Sequence, residues 1–161
     1  GGLAVTFQER DAQKWKLAQG HQLERYSIQG GDVVFARLSS PVPLDGNSLE
    51  WPSQGLSLPL PVEANNRFNG KILEVGIVAR ASSGGPTHAL SVVYATRQAG
   101  NSGWQSIPLG TEFELKTLRY KVPLLPDGYT NPPVLVIHSD PSGAGGKIDL
   151  LGVYLRVTAG D

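Results

Sequence analysis

The chain has 161 residues, 14 basic and 14 acidic, is 40% hydrophobic, and contains neither Cys nor Met. Zero net charge disfavours nucleic acid and anionic membrane surfaces as partners, and the missing Cys excludes a disulfide framework, a thiol nucleophile and a zinc-thiolate site. No apolar run approaches the roughly 20 residues that cross a bilayer, so membrane insertion is not expected.

The 20 Gly and 12 Pro are spread along the chain as turn punctuation, and the length suits one domain with its own core. The opening Gly1-Gly2, without Met, suggests either a processed protein or a domain cut from a longer one, and a parent protein is expected. Residues 3–7 read as a first strand. Residues 8–19 lack Gly and Pro and offer one short helix, although Ala12, Trp15, Leu17 and Ala18 make no clean helical stripe. Residues 22–28, 32–38 and 56–60 follow as strands, Pro59 marking an edge. Trp51 lies in a polar, Gly- and Pro-rich loop between the last two, and Asn65, Asn66 and Arg67 read as a further loop.

Residues 71–80 give the clearest strand: Leu73, Val75, Ile77 and Ala79 share one face, with Glu74, Gly76 and Arg80 on the other. Residues 89–98 repeat the device, Leu90, Val92 and Tyr94 opposing Ser91, Val93 and Arg97, and the two runs are expected to pair. Short strands are predicted at 104–109, 113–115 and 118–122. Residues 134–138 and 148–157 read as a closing hairpin around the Gly-rich loop 140–146. About ten short strands without a sustained helical period indicate an all-β, antiparallel two-sheet sandwich, with the jelly roll the favoured form, as one domain over residues 1–161.

Catalytic motifs are missing. Pro141 and Ile148 break the P-loop pattern around Gly146-Lys147, and no nucleophile elbow or H-E-x-x-H helix occurs. His21, His88 and His138 lie far apart in sequence. His88 falls in an exposed Gly-Pro loop, while His138 reads as a hydrogen-bonded neighbour of Asp140. The carboxylates Glu9, Asp11, Glu63, Glu74, Glu112, Glu114 and Asp149 are scattered and read as solvated surface. No enzyme activity, metal or cofactor is expected from these residues.

Several features in order carry a resemblance. They are Phe7-Gln8-Glu9, Trp15-Lys16-Leu17, Gly30-Gly31-Asp32-Val33-Val34, the run 71–80, Ser91-Val92-Val93-Tyr94, Gly103-Trp104-Gln105, Phe113, and the closing segments 134–140 and 148–155. Together they resemble the galactose-binding-like jelly rolls, which include carbohydrate-binding modules of polysaccharide-active proteins. The resemblance implies a non-catalytic module that places a larger secreted or extracytoplasmic protein on a polysaccharide or oligosaccharide, with adjacent domains of the parent as further partners. Such domains often carry structural calcium beside an Asp of the closing strand, where this chain offers only Asp149.

Sugar recognition needs an aromatic face and planar polar side chains. The candidate contacts are Trp51, Arg80, Arg97, His138 and Asp140. Trp51 can serve as a stacking platform or as a loop anchor. Arg80 and Arg97 each stand on the strand face away from the apolar set, and a guanidinium there requires a carboxylate, water or ligand. Trp15 and Trp104 read as packing residues, and Tyr94 as a core residue with its hydroxyl at the rim. A competing reading is a docking domain that uses Trp51 and Leu56, Leu58 and Leu60 as an apolar contact. A small lyase or hydrolase is the third, and requires clustered acid and base groups.

Overall fold

The period-two pattern of residues 71–80 is realised in a computed structural model, which describes residues 2–85 and 89–158. Among the described residues eleven strands form: β1 Gly2–Thr6, β2 Lys16–Leu17, β3 Gln22–Ser27, β4 Val34–Ser39, β5 Leu56–Pro59, β6 Ile72–Ala81, β7 Ala89–Ala95, β8 Gln105–Pro108, β9 Glu114–Lys121, β10 Val134–His138 and β11 Lys147–Val157. They build two antiparallel sheets. The first has the order β3-β4-β11-β6-β9, with β1 added on β11; the second is β2-β5-β10-β7-β8.

The long strand β11 organises the first sheet. One edge pairs with β6 along its length, while the other takes β4 at residues 147–150 and β1 at 152–156. A bulge between Leu150 and Gly152 restores the inward phase, so that Ile148, Leu150, Val153 and Leu155 all reach the core. Facing them across the sandwich are Leu56, Leu58, Leu90, Val92, Tyr94, Leu135 and Ile137 of the second sheet, in one continuous cluster. Each such side chain contributes about 1.5–3 kcal/mol on leaving water.

The structure corrects two pairings expected from sequence. β6 and β7 do not pair, since β6 lies in the first sheet and β7 in the second, and β10 and β11 divide in the same way. After β3–β4, only β7–β8 follow one another within a sheet; the other connections from β4 onward cross the sandwich, as a jelly roll requires. The fragments expected at 113–115 and 118–122 are one strand, β9. Pro59 lies beyond the reach of β2, which pairs only with Leu56 and Ser57, so it leaves no ladder donor missing.

The helical expectations also change. Residues 8–19 contain a 3-10 turn at Glu9–Lys14 followed by β2, with Trp15 stacked on Phe7 at 4.5 Å and its indole N–H donating to the Thr6 carbonyl at 2.9 Å. The α-helix lies instead at Glu63–Phe68 (α1), where a loop was expected; it follows Pro61 and buries Ala64 and Phe68, spaced i and i+4.

Candidate functional site

The outer faces of the two sheets differ. Over the second sheet, β10 and β7 turn Val134, Val136, Val93 and Ala95 outward, and residues 40–55 cross above them. Trp51 opens a 3-10 turn, Trp51–Gln54, and presses onto this apolar face 6.4 Å from Trp104, which is partly buried against the same cluster. Trp51 is therefore 4% exposed: of the two roles weighed from sequence, it is the loop anchor and not an exposed stacking platform. Trp104 packs in this outer cluster and not in the sandwich core.

The other end of the loop is fastened by His138. The Asp140 backbone N–H donates to His138 Nδ1 at 3.0 Å, which leaves Nε2–H to donate to the Val42 carbonyl at 2.8 Å. His138 is neutral in this arrangement, and burial holds its pKa below the ordinary histidine value against the opposing pull of Val42 and Asp140. His21 meets it edge-on at 5.7 Å, with neither ring nitrogen hydrogen-bonded to a described residue. Burial lowers its pKa too, helped by His138.

Asp140 is 2% exposed and turns the Gly-rich loop, accepting from the Ala144 N–H at 3.1 Å and the Gly145 N–H at 2.7 Å. His138 and Asp140 are thus buried and engaged by structural partners, His138 fastening the covering loop and Asp140 turning the Gly-rich loop. His88 lies outside the described residues.

Arg80 stands on the first sheet's outer face, on the opposite side of the sandwich from Arg97. Its Nε donates to Asp149 at 2.8 Å, while Arg37 bonds both oxygens of the same carboxylate at 2.8 and 3.2 Å. The guanidiniums interleave with rings: Arg37 lies 5.0 Å from Tyr26, and Arg80 lies 5.1 Å from Phe35 and 4.1 Å from Phe113. Asp149 is fully buried beneath them. Two guanidiniums on its oxygens do not fit a calcium ion at that position.

Trp51 and Arg97, by contrast, line one cavity. β7 ends in a tight turn in which the Thr96 N–H and hydroxyl both donate to the Gly100 carbonyl at 2.9 and 2.7 Å. That turn holds Arg97 at φ 60, a left-handed conformation uncommon for a side chain of its kind. Its Nε donates to the Pro132 carbonyl at 3.1 Å. A cavity of about 390 Å³ opens between Leu49, Glu50 and Trp51 on one side and Arg97, Gln98, Asn131 and Pro132 on the other. Asn131 donates to the Gln98 side chain, so the two amides are fixed relative to each other.

Sequence reading had not singled out Gln98, Asn131 or Glu50. The available signal was that Gln98-Ala99-Gly100 and Asn131-Pro132-Pro133 are turn segments flanking strands that prove to be neighbours, β7 and β10. Leu56, Leu58 and Leu60 cannot form the docking contact considered from sequence, because all three are buried in the central core. Tyr94 is also fully buried, its hydroxyl inside the core rather than at the rim. Among the described residues, no three His, Cys, Asp or Glu side chains gather as a metal site.

No family model matches the chain, and no curated protein does. Solved structures do. The chain is similar to the family 22 xylan-binding module CBM22-1 of Paenibacillus barcinonensis Xyn10C, with a TM-score of 0.65 and 12% identity over 99% of this chain and 95% of that one. It is similar to the C-terminal family 22 carbohydrate-binding module of Clostridium thermocellum Xyn10B, with a TM-score of 0.60 and 11% identity over 98% and 92%. A domain of bacteriophage CBA120 tailspike protein 4 also matches, with a TM-score of 0.59 and 15% identity over 95% of this chain and 20% of that one. The fold is the jelly roll of the carbohydrate-binding modules, as the sequence resemblance implied.

Proposed function

We propose that this domain is a non-catalytic carbohydrate-binding module of a larger secreted protein, and that it holds its glycan at the cavity between Trp51 and Arg97. The observation that carries the reading is the cavity itself, about 390 Å³, where an indole edge, a guanidinium held at a positive φ and two fixed amides converge. Arg97 is aimed by backbone strain that the core has no use for, a pattern found at ligand sites. Glu50, Gln98 and Asn131 supply planar donors and acceptors for paired hydroxyls, and Leu49 with the Trp51 edge supplies apolar surface for ring C–H groups.

The likeness to a xylan-binding module and to a module on a xylanase complexed with xylohexaose makes xylan the first glycan to try. An open site of this size binds weakly alone and gains from tethering to a parent protein with other contacts on the same polymer. Of the residues proposed from sequence, Trp51 and Arg97 touch the ligand in this reading, His138 holds the loop that carries Trp51, Asp140 turns the Gly-rich loop, and Arg80 braces the other sheet.

Affinity gel electrophoresis against soluble xylan, β-glucan, mannan and pectin tests the proposal. Retardation by one polysaccharide, relieved in Arg97→Ala and retained in Arg80→Ala, is the expected result. Retardation by none, or one indifferent to Arg97, contradicts it.

A further inference from the structure

We propose that the bound chain runs on past the Trp51–Arg97 cavity, over the ridge of residues 129–132, into a second polar cavity beside α1, so that the ligand is a long, uncharged, linear polysaccharide. This inference rests on the carbohydrate reading above and adds to it the length and charge of the ligand.

The second cavity measures about 420 Å³ and lies between the helix side, with Asn65, Asn66 and Asn69, and the loop side, with Asp127, Tyr129 and Thr130. One segment walls both cavities. Asn131 lines the first and presents its carbonyl to Asn65 Nδ2 of the second at 2.7 Å. The Tyr129 hydroxyl, from the second cavity, donates to the Thr96 carbonyl beside Arg97. The loop wall is fixed in turn by the Leu125 N–H, which donates to Asn69 Oδ1 at 2.8 Å. A ridge bonded to both flanks is a preorganised surface, and a ligand crossing it does not have to order it.

Two observations give the second cavity a ligand chemistry. Asn65 is 4% exposed, and its Oδ1 is buried without a hydrogen-bond partner among the described residues. Buried acceptors of this kind require a donor, and a sugar hydroxyl is one. The charged lining residues of the two cavities are Glu50, Glu63 and Asp127 against Arg97 alone, whose Nε is already engaged by Pro132. That excess of carboxylate, inside one Debye length of the path, repels uronate and sulfate groups and tolerates neutral sugars.

Isothermal titration calorimetry separates this inference from the reading beneath it, using xylo- and cello-oligosaccharide ladders from dimer to octamer and an oligogalacturonate ladder. Wild-type affinity for one neutral ladder is expected to rise roughly tenfold beyond the trimer, and oligogalacturonate is expected to bind more weakly than that ladder at every length. Asn66→Ala, at an exposed position that spares the fold, should abolish the rise and leave the trimer unchanged. Arg97→Ala should weaken every length. Binding that needs Arg97 but is complete at the trimer, that ignores Asn66→Ala, or that favours oligogalacturonate overturns the two-cavity path alone. A chain that binds none of the ladders, oligogalacturonate included, and is retarded by none of the four polysaccharides overturns both readings.

Discussion

The outer faces of the two sheets solve the same problem in different ways. On the first sheet the strands meet water, and the polar side chains brace one another: Asp149 holds Arg37 and Arg80, and Glu74 takes the Tyr154 hydroxyl and Arg156, each at 2.8 Å. On the second sheet the strands turn valine outward, and a loop pinned by Trp51 and His138 lies over them. The charged groups of the open face are satisfied by one another. The covered face ends in a rim where loop, turn and ridge leave cavities lined by Trp51, Arg97, Gln98 and Asn131.

Truncating the anchor of the covered face has the largest expected effect. Trp51→Ala removes a buried indole and opens the Val93–Val136 cluster, a loss of about 3–5 kcal/mol measurable by urea denaturation. An unchanged midpoint would mean that the loop does not close this face.

Two glycines sharpen the contrast. A Cβ on Gly55, where the covering loop enters β5, would stand 2.2 Å from the Ile137 carbonyl oxygen, and neither backbone has room to move. A Cβ on Gly76 of the open face would stand 2.1 Å from the Tyr154 ring, which can swing into solvent. Gly55→Ala is expected to cost about 3 kcal/mol and Gly76→Ala about 1 kcal/mol. Equal costs in thermal melts would erase the distinction between a closed and an open face.

Asp149→Ala follows, at about 2 kcal/mol. The cost stays below that of a fully closed ion pair because Arg37 and Arg80 keep 28% and 29% side-chain exposure and can turn to water. Glycan retention should survive this substitution in the refolded protein.

The smallest expected effect is a pH dependence of the covered face. His21 and His138 have folded pKa values lowered by burial, so the folded state binds fewer protons than the unfolded one. Stability is therefore full above the unfolded value near 6.5 and falls as the pH drops through it, until the lowered folded values are passed. Protonation of His138 at Nδ1 would also oppose the Asp140 N–H. Melting temperature should decline below about pH 6.5, less steeply in His21→Phe. A flat profile would show that the histidines are not the fastening.

Much of the fold was legible because alternation records one buried face. β6 shows it, with Leu73, Val75, Ile77 and Ala79 all in the core. Which strands share a sheet was not legible, since short turns after β6 and β10 suit a hairpin as well as a crossing. The run Val134-Leu135-Val136-Ile137 did carry a signal, because a strand without alternation is buried on both faces, and here the second cover is the Trp51 loop. Helix α1 escaped notice because six residues with two apolar positions show less than two turns of period. Of the site, Trp51 and Arg97 could be chosen by residue type, but their meeting depends on a turn and a loop far apart in sequence. Arg80 looked equivalent to Arg97 on its strand, but Arg80 stays on β6 and is taken by Asp149, whereas β7 ends before Arg97 and leaves it in a turn of the other sheet.

The most direct test of that separation is NMR mapping of backbone amides during titration with the polysaccharide oligomer that the domain retains. The account predicts shifts at Leu49–Trp51, Arg97–Gln98 and Asn131, with Arg37, Arg80 and Asp149 unmoved. Shifts centred on Arg37, Arg80 and Phe113 would place the ligand on the open sheet and contradict it.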